Sequence, residues 1–312
     1  MTIDRIGNFA NTQLLLSQIQ KAENALDNSN REVSTGKVAD NYAGYGDKTA
    51  VMEAARSAAA RADANAAAAQ QASSRLDVQD AQLTQLSQLA DQIRQTLTKA
   101  AADQDGTSVM DQLQGYFSQV VDLLNSKDAN GYIYAGDNSQ TPPVTVSNLS
   151  DLAALPTVAD AFANGTNKTT VRIGENQTVQ VGVLASDVAT DLFSLLRQVA
   201  QFDSGVNGPF GGTTSAAQQS FLESGIQTSI DVADGVNAQA AANGIRYKAV
   251  QSSIDQLQAS STVYKGFVSN IEDVDMTQAV AQLNQNQIAL QAAFQVTSRL
   301  NQLSLLDYLP IV

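Results

Sequence analysis

The chain has 312 residues and a net charge of −13, with no His, no Cys and no Trp. Those absences remove Ser/His/Asp triads, Cys nucleophiles, disulfides and the ordinary zinc, haem and iron–sulfur ligand sets. The acidic balance argues against a nucleic-acid binder, which needs basic surface to displace counterions.

The N-terminus, MTIDRIGNFANTQLLLSQIQ, lacks a basic region followed by an apolar core, so it does not read as a secretory signal. No run of 18 apolar residues exists, which predicts no bilayer-spanning helix. Residues 12–33 carry Leu15, Ile19, Ala22, Leu26 and Val33 at 4/3 spacing around a polar Ser29, the pattern of a helix. Gly36, Gly44 and Gly46 then break it.

From Lys48 to Ala101 the chain has neither Gly nor Pro, and a strict 4/3 stripe runs from Val51 to Ala100. Its first half is mostly Ala, which lets a neighbour approach closely, and its second half is Leu and Ile. At 1.5 Å per residue this is a rod of about 80 Å, far beyond an ordinary globular helix. A shorter helix is expected over 108–126, and GYIYAG (131–136) reads as a short strand.

Residues 136–185 change character. Pro142, Pro143 and Pro156 appear, and VRIGENQTVQVGV (171–183) alternates around Gly-Glu-Asn-Gln, a hairpin signal. A helix is expected from Ser186 to Phe202, then a glycine-rich loop at 205–215. A second rod follows, with its stripe running from Leu222 to Tyr264, and a last helix covers 277–306. Two rods on opposite sides of an insert must pair antiparallel to hide their stripes, which brings the two ends of the chain together. The expected fold is therefore mainly α: antiparallel heptad rods, terminal assembly helices and a small β-rich insert.

Three short motifs flank the rods: Ser34-Thr35-Gly36-Lys37, Ser269-Asn270-Ile271-Glu272-Asp273-Val274-Asp275, and Ser304-Leu305-Leu306-Asp307-Tyr308-Leu309. In order and together they resemble the flagellin family. Gly131-Tyr132-Ile133-Tyr134-Ala135-Gly136 followed by Pro142-Pro143 is similar to the hook-associated branch of that family. Tyr42-Ala43-Gly44-Tyr45-Gly46-Asp47 departs from the family's usual run. The resemblance implies a structural subunit of the bacterial flagellum, extracellular, exported through the flagellum's own channel without a cleaved signal peptide, and joining hook to filament. Its implied partners are another hook-associated junction protein, flagellin, copies of itself and an export chaperone. A minor flagellin that builds the filament itself, and a coiled-coil signalling module, stay open as alternatives.

The expected organisation is an N-terminal assembly helix and loop over 1–40, rod halves at 41–135 and 186–274, an outer insert at 136–185 and a C-terminal assembly helix over 275–312. No catalytic, cofactor or metal residue is assigned. Glu272, Asp273 and Asp275 read as acids at a helix start, where they favour the macrodipole. Asp103/Asp105-Gly106 and Asp128/Asn130-Gly131 read as turns, since neither has the spacing of a calcium loop. The sequons at Asn148, Asn164, Asn167 and Asn176 mark only a polar surface.

The candidate assembly interface is the terminal apolar set Leu15, Leu16, Ile19 and Leu26 with Leu283, Leu290, Phe294, Leu300, Leu303, Leu305 and Leu306. The remaining faces of these helices are Gln, Asn, Ser, Thr and Ala, with Arg299 the one charge in 277–306. An uncharged polar face suits burial among protein neighbours, where an unpaired charge is costly. A membrane-surface helix would carry Lys and Arg there, so no membrane partner is expected. Both ends are expected to become helical only against neighbouring subunits, because a single helix's apolar face is too small a core.

Overall fold

The computed structural model describes residues 2–174 and 177–306, with side chains described for 13–174 and 177–299. Among the described residues seven α-helices dominate: α1 (Thr2–Thr35), α2 (Thr49–Asp103), α3 (Val109–Leu124), α4 (Leu149–Ala154), α5 (Ala185–Asp203), α6 (Ala216–Glu272) and α7 (Met276–Leu306). Two small antiparallel hairpins accompany them, β1 (Lys127–Asp128) with β2 (Gly131–Tyr132) and β3 (Thr170–Arg172) with β4 (Thr178–Gln180). The chain forms two units, one of residues 1–61 and 260–312, the other of 62–259.

In the larger unit the stripes of α2 and α6 meet antiparallel, as their spacing requires. Asn243 Nδ2 donates to the Leu76 carbonyl at 2.9 Å, Gln251 Nε2 to Ser73 Oγ at 2.7 Å, and Ser87 Oγ to Asn237 Oδ1 at 2.7 Å. Around the alanine half, Ala69, Ala72 and Leu76 pack with Val250 and Ile254 and with Ile173 and Val181 from the β3–β4 hairpin region. The leucine half, Leu83 to Leu97, joins α3, α5 and the start of α6 in one large core. Phe193 of α5 anchors it, with Phe117 and Phe162 rings 5.1 and 5.0 Å away. The wider Leu seam thus accommodates additional helices, while the Ala seam keeps two rods close.

The segment 136–185 carries the β3–β4 hairpin but is not a lobe with its own core. Val144, Val146, Leu149, Leu152, Ala161 and Val183 belong to the same cluster as Leu86 and Phe117. Asn125, after the end of α3, holds Val144 through both backbone groups at 3.0 Å, and Gln114 Oε1 accepts from Leu149 N–H at 2.8 Å. The ends of the segment adjoin, since Ala185 N–H donates to the Tyr134 carbonyl at 3.0 Å.

GYIYAG forms more a tight corner than a strand. Gly131 (φ 117°) and Gly136 (φ 64°) both occupy the left-handed region, and a Cβ on either would collide with a backbone carbonyl, Ser139 or Asn167 respectively. Between them Ile133, Tyr134 and Ala135 are buried. Asp105 accepts from the Thr107 N–H at 2.9 Å, and Asp128 from the Asn130 N–H at 2.7 Å, so both acidic motifs are turns.

In the smaller unit α1 and α7 lie side by side, antiparallel, over much of their length. Asn286 Nδ2 of α7 donates to Ser29 Oγ at 2.7 Å and to the Ala25 carbonyl at 3.1 Å. Both ends are therefore helical within the single chain, each serving as the other's partner. This differs from helices that form only against neighbouring subunits.

Candidate assembly surface

The residues nominated in the terminal helices divide between two faces. Leu15, Ile19 and Leu26 fall on the α1 stripe that contains the buried Ser29, and are half-buried. Leu283 and Leu290 fall on the α7 stripe that contains Asn286 and the buried Ala279, and are likewise half-buried. Because Ser29 and Asn286 touch, these two stripes face each other. Leu16 and Phe294 do not join them: they are 54 % and 49 % exposed. The side chains of Leu300, Leu303, Leu305 and Leu306 lie outside the described residues.

The outward side of the pair holds apolar groups that heptad reading missed. Met276, Ile288 and Val296 are exposed, and Ile288 is 67 % exposed. At 100° per residue Ile288 lies opposite the α1-facing stripe of α7, Val280 and Val296 lie on its two flanks, and Phe294 sits at the edge of the stripe itself, half of it left uncovered. A helix apolar on all sides is ordinarily a buried one. Pairing with α1 covers only one side of α7. The signal available in the sequence was the presence of large apolar residues off the stripe in a segment almost without charge.

Where this pair begins, the first two of the family-like motifs meet. Lys37 and Asp273 form an isolated antiparallel bridge. Val38 N–H donates to the Glu272 carbonyl at 2.8 Å, and Val274 N–H to the Gly36 carbonyl at 2.9 Å. Gly36 (φ 70°) supplies the reversal after α1. The Glu272 side chain is buried there between two cations: one carboxylate oxygen takes Lys37 Nζ, the other takes Arg56 Nη2 at 2.5 Å. The bond from Lys37, then that from Arg56, holds the Glu272 carboxyl below the usual carboxylate range. Glu272 in turn raises Lys37 and Arg56 above their ordinary values. Asp275 caps α7, accepting from the N–H groups of Thr277 and Gln278 at 2.8 and 3.3 Å. The acidic run therefore does two jobs: Glu272 fastens the root of the pair and Asp275 starts its second helix.

Among the described residues no group of three or more Asp or Glu side chains is arranged to hold a metal ion, and no helix is long and apolar enough to cross a membrane.

The helical regions at the two ends of the chain recur in known proteins. The pattern described as the bacterial flagellin N-terminal helical region matches residues 6–136, and that of the bacterial flagellin C-terminal helical region matches 228–309. No curated protein matches the chain in sequence. Among solved structures, FlgL of Bacillus cereus is 14 % identical, with a TM-score of 0.52 over 70 % of this chain and 98 % of its own. A putative flagellar hook-associated protein from Vibrio parahaemolyticus is 14 % identical, with a TM-score of 0.53 over 70 % of this chain and 93 % of its own. FlgL of Xanthomonas campestris is 13 % identical, with a TM-score of 0.53 over 70 % and 99 %. At such identities these three speak for the fold. The family assignment rests on the two flagellin regions, which frame the chain in order, cover most of it, and contain the helices whose ends meet at Lys37 and Glu272. The chain belongs to the bacterial flagellin family.

Proposed function

We propose that this chain is a structural subunit of the flagellum that joins hook to filament, and that it assembles through the outward face of α1 and α7. The observation that carries the reading is the apolar surface that α1 leaves uncovered on α7: Ile288 opposite the pairing stripe, Val280 and Val296 on its flanks and Phe294 at its edge are all exposed, in a helix whose polar residues are almost all uncharged. Repeated copies packed side by side would bury that surface and give its amides hydrogen-bond partners, without desolvating charge. The putative flagellar hook-associated protein among the structural relatives favours the junction over the filament proper.

On this reading the neighbours are copies of the same chain, a second hook-associated junction protein and flagellin. An export chaperone would cover the α7 face before assembly, and the chain would leave through the flagellum's own channel without a cleaved signal peptide. The work of the molecule is packing, with no reaction to catalyse.

The experiment is Ile288→Asp with Phe294→Asp. Both side chains are exposed, so the monomer should keep its melting temperature, while incorporation at the hook tip and motility should be lost. Normal filaments on cells carrying only this variant would refute the assembly face. A large loss of monomer stability would place these residues in the chain's own core. Long filaments grown by the purified protein alone would favour a minor flagellin over a junction subunit.

A further inference from the structure

We propose that the Lys37–Glu272–Arg56 cluster is an acid-released clasp: protonating the Glu272 carboxylate detaches the segment after α1 from the end of α6, and frees the root of the α1–α7 pair. Three features of the geometry converge on one residue. The Glu272 side chain is nearly buried and joins two cations from different elements, Lys37 from the loop after α1 and Arg56 from α2. The Glu272 backbone carbonyl accepts from Val38 N–H, so the same residue holds that loop by main chain and side chain together. The reciprocal bond, Val274 N–H to the Gly36 carbonyl, closes the ring. When the carboxylate gains a proton, both charge-assisted bonds weaken at once. Lys37 and Arg56 are then left as like charges around a neutral group.

The other charged groups around the cluster have partners of their own. Glu53 pairs with Arg56 at 3.1 Å, and Arg31 with Asp40 at 3.0 Å. Asp273 accepts from Ser269 Oγ, and the Tyr45 hydroxyl donates to the Ala39 carbonyl at 2.5 Å. None of these replaces Glu272 as the link between the loop and α6. The direction of the titration follows from the cations. They hold Glu272 below its ordinary range, so the clasp stays closed at neutral and mildly acid pH and opens as pH falls through that depressed value.

The inference concerns the single chain and does not depend on the assembly reading. It is tested by amide hydrogen exchange on the full-length monomer, corrected for intrinsic rates, at pH 7 and at about pH 3. The segments 34–41 and 270–276 should lose at least about tenfold in protection at the lower pH, while 83–97 keeps theirs. Glu272→Gln should exchange quickly in those two segments already at pH 7 and change little with acid. Asp40→Asn should behave as the parent chain. Equal protection at both pH values in the parent, or full pH dependence in Glu272→Gln, would overturn the clasp. So would a simultaneous loss in 83–97, since the chain would then be unfolding as a whole.

Discussion

Asn286 on α7 and Ser29 on α1 touch at 2.7 Å, and that amide–hydroxyl bond fixes the register of the two terminal helices. Ser29 interrupts the apolar stripe of α1 and is nevertheless buried, its own hydroxyl donating to the Ala25 carbonyl. The polar break in the stripe is the point at which the pair is keyed. Asn286→Ala removes two hydrogen bonds and should weaken the pairing by about 1–2 kcal/mol. Amides near Ala25–Ser29 should then exchange roughly 5–30 times faster, with 83–97 unaffected. Unchanged exchange would mean the bond sets nothing.

Leu86 on α2 and Ile254 on α6 are both buried in the larger unit. Leu86→Asp and Ile254→Asp each place a carboxylate among hydrocarbon and should destabilise the monomer by several kcal/mol. Thermal denaturation followed by circular dichroism measures this. Near-unchanged melting for both would contradict the paired stripes.

Replacing 136–185 by a short glycine linker is geometrically simple, because its flanks are hydrogen-bonded at Tyr134 and Ala185. The sequence suggests an outer lobe whose removal is harmless. The structure predicts the reverse. Val144, Val146, Leu149, Leu152 and Val183 would leave the core cluster, each contributing about 1.5–3 kcal/mol when buried. The shortened chain should melt markedly lower or fold only partly. A melting temperature equal to the parent's would restore the lobe.

Tyr134 is fully buried and its hydroxyl has no hydrogen-bond partner among the described residues, and burial pushes its ionisation well above the ordinary tyrosine value. Tyr134→Phe removes an unsatisfied polar atom at nearly constant shape. It should leave stability at pH 7 unchanged or raise it by up to about 1 kcal/mol. The pH dependence has a definite sign. The folded state keeps this proton longer than the unfolded one, so stability is full below about pH 10 and falls as pH rises beyond it. The Phe variant should lose part of that alkaline decline. Denaturant titrations at pH 7 and near pH 10.5 compare the two, and a clear loss of stability at pH 7 would show that the hydroxyl has a partner.

The long helices and their antiparallel return were legible in the sequence, because a 4/3 stripe is a local property and a stripe of such length must find a matching one. Their bounds were not, since α1 begins ten residues before the expected 12–33, and the short α4 inside 136–185 was not anticipated. The motifs around Lys37 and Glu272 were legible as markers of two boundaries. What the sequence could not state is which surfaces are shared. Leu15 and Leu16 are adjacent in the chain, yet one faces α7 and the other is exposed, because 100° of helical rotation separates them. That choice depends on where α7 lies. The composition of 136–185 announced a separate surface segment, while its few aliphatic side chains are gathered into the core of α2, α3 and α5 by contacts distant in sequence. Burial of Glu272 between Lys37 and Arg56 follows the same rule. Lys37 and Arg56 read as ordinary surface charges and Glu272 as an acid opening a helix; in the structure Glu272 closes α6 instead, and the fold brings it to Lys37 and Arg56 from 216 residues beyond Arg56 along the chain.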